Sequence, residues 1–277
     1  MNRHLFPIFG QMPAPSSCRN IGVPPGFQKA LISGSNNSQV ELAWHRCKRG
    51  VSRGVILMCH PFYRSGMQYF FQRSFIELFA GLPYHFVCFN FRGFGASSFN
   101  GFNFSDDILS IAEWIRRHLP LQKIFLYGLS SGGFQAMHAM KREPTLFQAI
   151  VMDSVPILIS RLVHSRVKRL LIQHLSYSKW AERTGTQTIL SPLSMTNHKP
   201  TLFFYGDRDS HLQKHDLDNI RAAHPGAAIS IIQNAAHLQC LTTSAACYRR
   251  TLKNFLAHAE LNSAPAENDF PVAIALP

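Results

Sequence analysis

Three observations predict an α/β fold: six short apolar runs, helix-length gaps between most of them, and a hairpin-like stretch ahead of the first. The expected architecture is a mostly parallel sheet with an N-terminal antiparallel hairpin, helices on both faces and an inserted helical cap. The boundaries that follow are an N-terminal extension over residues 1–26, one domain over 27–258 with the cap at about 157–199, and a tail over 259–277.

The elements follow in order. "FQKALIS" and "VELAWHRC" flank the turn cluster "GSNNSQ", so residues 27–47 read as a hairpin of half-buried strands. "VILMCH" (55–60) is continuously apolar, as a strand covered on both faces must be. The same texture returns in "FVCFNF" (86–91), "IFLYG" (124–128), "AIVMD" (149–153), "LFFYG" (202–206) and "ISIIQ" (229–233). Between them, "DDILSIAEWIRRHL" places Ile108, Ile111, Ala112 and Ile115 on one helical face, and Ser105 with Asp106 is expected to cap its start. The gap over 157–199 is too long for a simple crossover and contains "ILISRLVHSRVKRLLIQHL", an amphipathic and strongly basic pattern, hence the cap.

Composition narrows the class. The chain of 277 residues is long enough for a sizeable core, and its 16% charged content is low against a usual share of about 25%. No apolar run reaches the roughly 18 to 20 residues of a membrane span. Pro7 and Gly10 interrupt the apolar N-terminus, so a cleaved export signal is not expected. The six cysteines, Cys18, Cys47, Cys59, Cys88, Cys240 and Cys247, lack C-x-x-C spacing, and reduced thiols in a cytoplasm are the expectation. The net charge of +13 fits nucleic acid, anionic lipid, an acidic protein partner or plain solvation. Nucleic acid is not expected, because no surface pattern interleaves aromatic and basic residues at a recognisable spacing.

Chemistry concentrates in Gly128-Leu129-Ser130-Ser131-Gly132, a G-x-S-x-G stretch with an apolar strand before it and a helical pattern after it. The glycines leave room for a sharp strand-to-helix turn that holds Ser130 in strained geometry. The Ser131 N–H, at the helix start, then points where negative charge would develop. A serine hydroxyl needs a base, and the base an orienting acid. Asp209, past "LFFYG", is the expected acid, with Asp207 and Asp153 as competitors; His237, just past the last strand, is the expected base ahead of His211, His215 and His224. A second oxyanion donor is sought after "VILMCH", where Pro61 has no N–H, leaving Phe62 or Tyr63. His60 is read as a loop brace, not a proton carrier.

With "HPF", "FNFRGFGAS", "GLSSGG", "GDRD" and "NAAHL", the chain resembles the α/β-hydrolase superfamily over about residues 27–258, and specifically serine hydrolases of the esterase, lipase and thioesterase kind. The resemblance implies Ser130, Asp209 and His237 as the catalytic residues, Phe62 with Ser131 as the oxyanion hole, and neither a cofactor nor a metal. Asn90 stands where the family often has aspartate, which bears on loop bracing, and Pro61 where glycine is common. The implied reaction is cleavage of an ester or thioester with an apolar acyl group through an acyl-enzyme. A different class remains open, a non-catalytic or docking module on the same fold.

In the cap, Arg161, Arg166, Lys168, Arg169, Lys179, Arg183 and Lys199 face a single acid, Glu182, and are expected over the pocket mouth. Arg166, Lys168 and Arg169, with Tyr63, are the expected substrate-binding residues. The expected partners are a small-molecule or carrier-bound acyl substrate, with an acidic carrier protein or an anionic membrane surface drawn to the basic helix.

Overall fold

The structure is a computed structural model that describes residues 22–47, 51–79, 81–120, 122–162, 181 and 184–261. Its sheet has eight strands: β1 (Gln28–Ser33), β2 (Gln39–His45), β3 (Val55–Cys59), β4 (His85–Phe89), β5 (Ile124–Leu129), β6 (Ala149–Asp153), β7 (Thr201–Gly206) and β8 (Ala228–Ile232). Their order is β1-β2-β4-β3-β5-β6-β7-β8. β2 runs antiparallel to both neighbours, and every pairing from β4 to β8 is parallel.

Burial explains the apolar texture of the strands. In β3, Val55, Leu57 and Cys59 point into one core layer while Ile56 and Met58 point into the other, and all five are at most 1% exposed. The first layer is closed by α3 (Ser105–His118), α4 (Ser131–Arg142), α5 (Leu190–Met195) and α6 (Lys214–Ala223). The second is closed by α1 (Gln68–Gln72), α2 (Phe75–Phe79), α7 (Cys240–Thr243) and α8 (Ala245–Leu261). In α3 the four residues of the expected apolar face are fully buried.

Several expectations are corrected. Phe104, not Ser105, occupies the N-cap of α3, and no side chain caps it; Ser105 is the first helical residue and bonds to Asn103. Asp106 and Asp107 are drawn instead to Arg142 and Arg92, and Arg92 meets Asp107 in a buried pair at 2.7 Å. A buried guanidinium takes whatever carboxylate it can reach, which here outcompetes local capping.

The segment 157–199 does not form a cap throughout. Its two stems meet at a bridge between Leu158 and Thr188, and from Ile189 onward the chain is core: Ile189 and Leu193 are fully buried, and α5 packs between α4 and α6. Residues 163–180 and 182–183, with Arg166, Lys168, Arg169, Lys179, Glu182 and Arg183, lie outside the described residues. The two described cations of the set do not extend a basic mouth. Arg161 is paired with the buried Asp216, and Lys199 precedes β7, at the opposite end of the sheet, where it donates to the Phe147 carbonyl. α8 continues to Leu261 with Ala259 buried, so the helix overlaps the start of the expected tail. Among the described residues, no helix is long and apolar enough to cross a membrane.

Candidate active site

The turn after β5 does what its glycines require. A Cβ on Gly128 would stand 2.2 Å from the Gly133 Cα, and one on Gly132 2.3 Å from the Cys59 carbonyl oxygen, so both positions exclude side chains. Between them Ser130 sits at φ 48° and ψ −121°, a strained conformation for a non-glycine residue. That strain lifts its hydroxyl to the carboxyl end of the sheet, with the residue 4% exposed.

Two further loops converge there. Gly206, at the end of β7, comes so close to the loop after β8 that a Cβ would lie 2.0 Å from the Ala235 carbonyl oxygen. Arg208 N–H donates to the same carbonyl at 3.0 Å, which locks the two loops together. His237 Nδ1 consequently lies 2.8 Å and 3.0 Å from the two Asp209 oxygens, and its Nε2 lies 2.9 Å from Ser130 Oγ. An ionised carboxylate only accepts, so Nδ1 carries the proton and Nε2 presents a lone pair to the Ser130 hydroxyl. Burial alone would raise the Asp209 carboxyl; hydrogen bonds from His211 and His237 outweigh it and hold the group well below the usual carboxylate range.

His211 is the residue that sequence reasoning set aside. Its backbone N–H donates to Asp209 Oδ1 at 2.9 Å, its Nδ1 lies 3.1 Å from the same oxygen, and its ring is 4.0 Å from that of His237. The D-x-H spacing is the signal, since a carboxylate that accepts the N–H two residues on folds the chain into a turn that returns the i+2 side chain to it. Asp209, His211 and His237 place ligand atoms within 4.8 Å of one another, a set able to hold a metal. Their contacts with the carboxylate, at 2.8 to 3.1 Å, are those of shared protons.

The competitors fall elsewhere. Asp207 is exposed. Asp153 is buried, accepting from Ser154 Oγ and Tyr248 OH, both at 2.8 Å, and burial pushes its carboxyl up to about 6. Ser154 Oγ also accepts the Leu238 N–H at 3.0 Å, so Asp153 anchors the loop beside His237 without touching the imidazole.

On the other side of Ser130, His60 is fully buried, its Nδ1 2.8 Å from the Pro61 carbonyl and its Nε2 accepting from Phe91 N–H. That pattern needs a neutral ring, and burial lowers its pKa to about 4. His60 and Phe62 pack among Phe91 and Phe94, and Phe62 also meets Phe104. Asn90 ties three segments together, accepting from Met67 N–H and donating to Glu41. The Tyr63 N–H is taken by the Pro61 carbonyl at 2.6 Å, and its ring stacks on Tyr69. The Phe62 N–H is also engaged, by Ser131 Oγ at 2.7 Å.

A family model for the alpha/beta hydrolase fold matches residues 54–184. Over 87% of this chain and 95% of the other, the fold superposes on the esterase Pf2001 of Pyrococcus furiosus with a TM-score of 0.69 at 16% identity. A membrane phospholipase A described as a bacterial virulence factor gives 0.64 at 15% identity over 86% of this chain and 88% of that one. A serine hydrolase without lid from Xanthomonas campestris gives 0.57 at 17% identity over 90% and 100%. The chain has the α/β-hydrolase fold. No curated protein matches it in sequence.

Within this α/β-hydrolase fold, the family match includes Phe62, Ser130 and Ser131 but ends before Asp209 and His237. Those two are joined to Ser130 by the geometry of the β7 and β8 loops. Of the residues expected to bind substrate, Tyr63 is half-buried beside the site, and Arg166, Lys168 and Arg169 lie outside the described residues.

Proposed function

We propose that this protein is a serine hydrolase that cleaves an ester or thioester of an apolar acyl group through an acyl-enzyme on Ser130. The observation that carries the reading is the unbroken relay from Ser130 Oγ through His237 to Asp209, at 2.9 Å and 2.8 Å. Ser130 Oγ attacks the acyl carbon, His237 Nε2 takes the hydroxyl proton, and Asp209 holds the resulting imidazolium in place. The same proton passes to the leaving alcohol or thiol, and water repeats the sequence to release the acid. Phe62, half-buried beside Ser131 and backed by the buried rings of Phe91, Phe94 and Phe104, supports an apolar acyl group. Esterase and phospholipase relatives in fold support an ester. The substrate is a small-molecule or carrier-bound acyl compound, and the free thiols Cys47, Cys59, Cys88, Cys240 and Cys247 suit a reducing cytoplasm.

A fluorophosphonate probe tests the reading. The wild-type protein is expected to label stoichiometrically and Ser130→Ala not at all. An unlabelled wild type, or label that survives in the alanine variant, overturns it.

A further inference from the structure

Both amides in the loop after β3 that could complete an oxyanion hole are occupied. Tyr63 N–H binds the Pro61 carbonyl, and Phe62 N–H binds the Ser131 hydroxyl oxygen at 2.7 Å. An amide that already donates to a good acceptor at this distance must share or give up that bond to hold a second. The Ser131 hydroxyl, on the residue next to Ser130 at the start of α4, is therefore what meets this loop, and its own proton is the feature of interest. Ser131 is 2% exposed, follows Ser130 directly, and accepts from Phe62; among the described residues no acceptor for its hydroxyl hydrogen is found. A buried hydroxyl whose oxygen is satisfied and whose hydrogen is not is a donor waiting for an anion.

We propose that the Ser131 side chain is itself an oxyanion donor: its Oγ–H and its N–H hold the developing negative charge together, and the Phe62 amide polarises the hydroxyl from behind. This rests on the hydrolase reading above. Donation from an amide strengthens a hydroxyl as a donor, because hydrogen bonds in a chain polarise one another, and the buried setting magnifies the effect. Pro61 fits the arrangement, since a residue without an N–H leaves Phe62 as the one amide of the turn free to back the hydroxyl. Ser131 is fixed by the helix start and Phe62 by its packing against Phe91, Phe94 and Phe104, so the donor pair is held before substrate arrives.

Ser131→Ala, Ser131→Thr and, should alanine fail to fold, the isosteric but weakly donating Ser131→Cys are compared with wild type on an aryl ester, together with inhibition by an alkyl boronic acid that mimics the tetrahedral intermediate. The expected result for Ser131→Ala is a fall of about 10²-fold in kcat/KM, carried by kcat. Boronate affinity should weaken by a similar factor, and Ser131→Thr should recover most of the loss. If alanine is as fast as wild type or faster, the hydroxyl is only an occupant that the oxyanion displaces, and the proposal fails. It fails too if threonine is as slow as alanine, because the hydroxyl is then not the cause. Absence of fluorophosphonate labelling in the wild type would instead remove the hydrolase reading beneath it.

Discussion

Asp153 and Asp209 are two aspartates at the carboxyl ends of neighbouring strands, 1% and 5% exposed, and burial pushes both carboxyls upward. They end in opposite states. Asp153 meets the neutral hydroxyls of Ser154 and Tyr248, which offset only part of the desolvation, so its carboxyl rises to about 6. Asp209 meets two imidazoles and a backbone N–H, and its carboxyl falls well below the ordinary range. The donors, together with the deeper burial of Asp153 and the Asp209 charge beside it, decide which of the two can steady an imidazolium. Asp153 is the anchor of the Leu238 loop, and Asp209 is the partner of His237.

The largest break in this comparison is Asp209→Asn. Asparagine keeps the shape but offers His237 Nδ1 either a neutral acceptor or a competing donor, which favours the wrong tautomer. Ester turnover is expected to fall about 10³- to 10⁴-fold, with far-UV circular dichroism unchanged.

Asp153→Asn acts on stability instead. The native carboxyl holds its proton up to about pH 6, above the ordinary carboxylate value of 3.8, so the native state binds more protons than the unfolded state between those limits. Stability from this group is therefore full below about pH 4 and is lost as pH rises through about 6. Relative to Asp153→Asn, the wild type should lose on the order of 3 kcal/mol between pH 4 and pH 7. Urea melts of both proteins at the two pH values measure it, and a constant difference would place the Asp153 titration elsewhere.

The smallest effect expected is that of His211→Ala. It removes one of three donors to Asp209 and leaves the His237 contact in place, so kcat should fall about tenfold, the scale of one charge-assisted hydrogen bond. His211→Asn, which can still donate, should recover part of it. Steady-state kinetics on the two variants give the comparison.

The unequal legibility of these parts in the sequence has physical causes. Strands covered on both faces must be apolar throughout, so β3 to β7 stand out in the chain, while the half-buried edge strand β8 stands out by its isoleucines. The serine turn stands out because a Cβ on Gly128 or Gly132 would stand 2.2 or 2.3 Å from neighbouring backbone, which forces both glycines. Asp209 and His237 follow from strand ends, since sites on such sheets open there. His211 does not, because the turn that brings its ring to Asp209 is local geometry and fourteen histidines offer no pattern to single it out. The Ser131–Phe62 bond joins residues 69 apart in the chain, which no spacing can reveal. Ser105 reads as a cap by residue type, but Arg92 and Arg142 compete for the acidic first turn of α3. Lys199 reads as part of a basic cap because proximity in the chain ignores that α5 carries it back to the far end of the sheet.

The central claim, that Ser130 carries the acyl group, is tested most directly by rapid-quench mass spectrometry during turnover of a p-nitrophenyl ester. A burst of p-nitrophenol matched to the enzyme concentration is predicted, together with one acyl mass on the peptide containing Ser130. Turnover with no acylated peptide, or an acyl group on a different residue, would contradict the account.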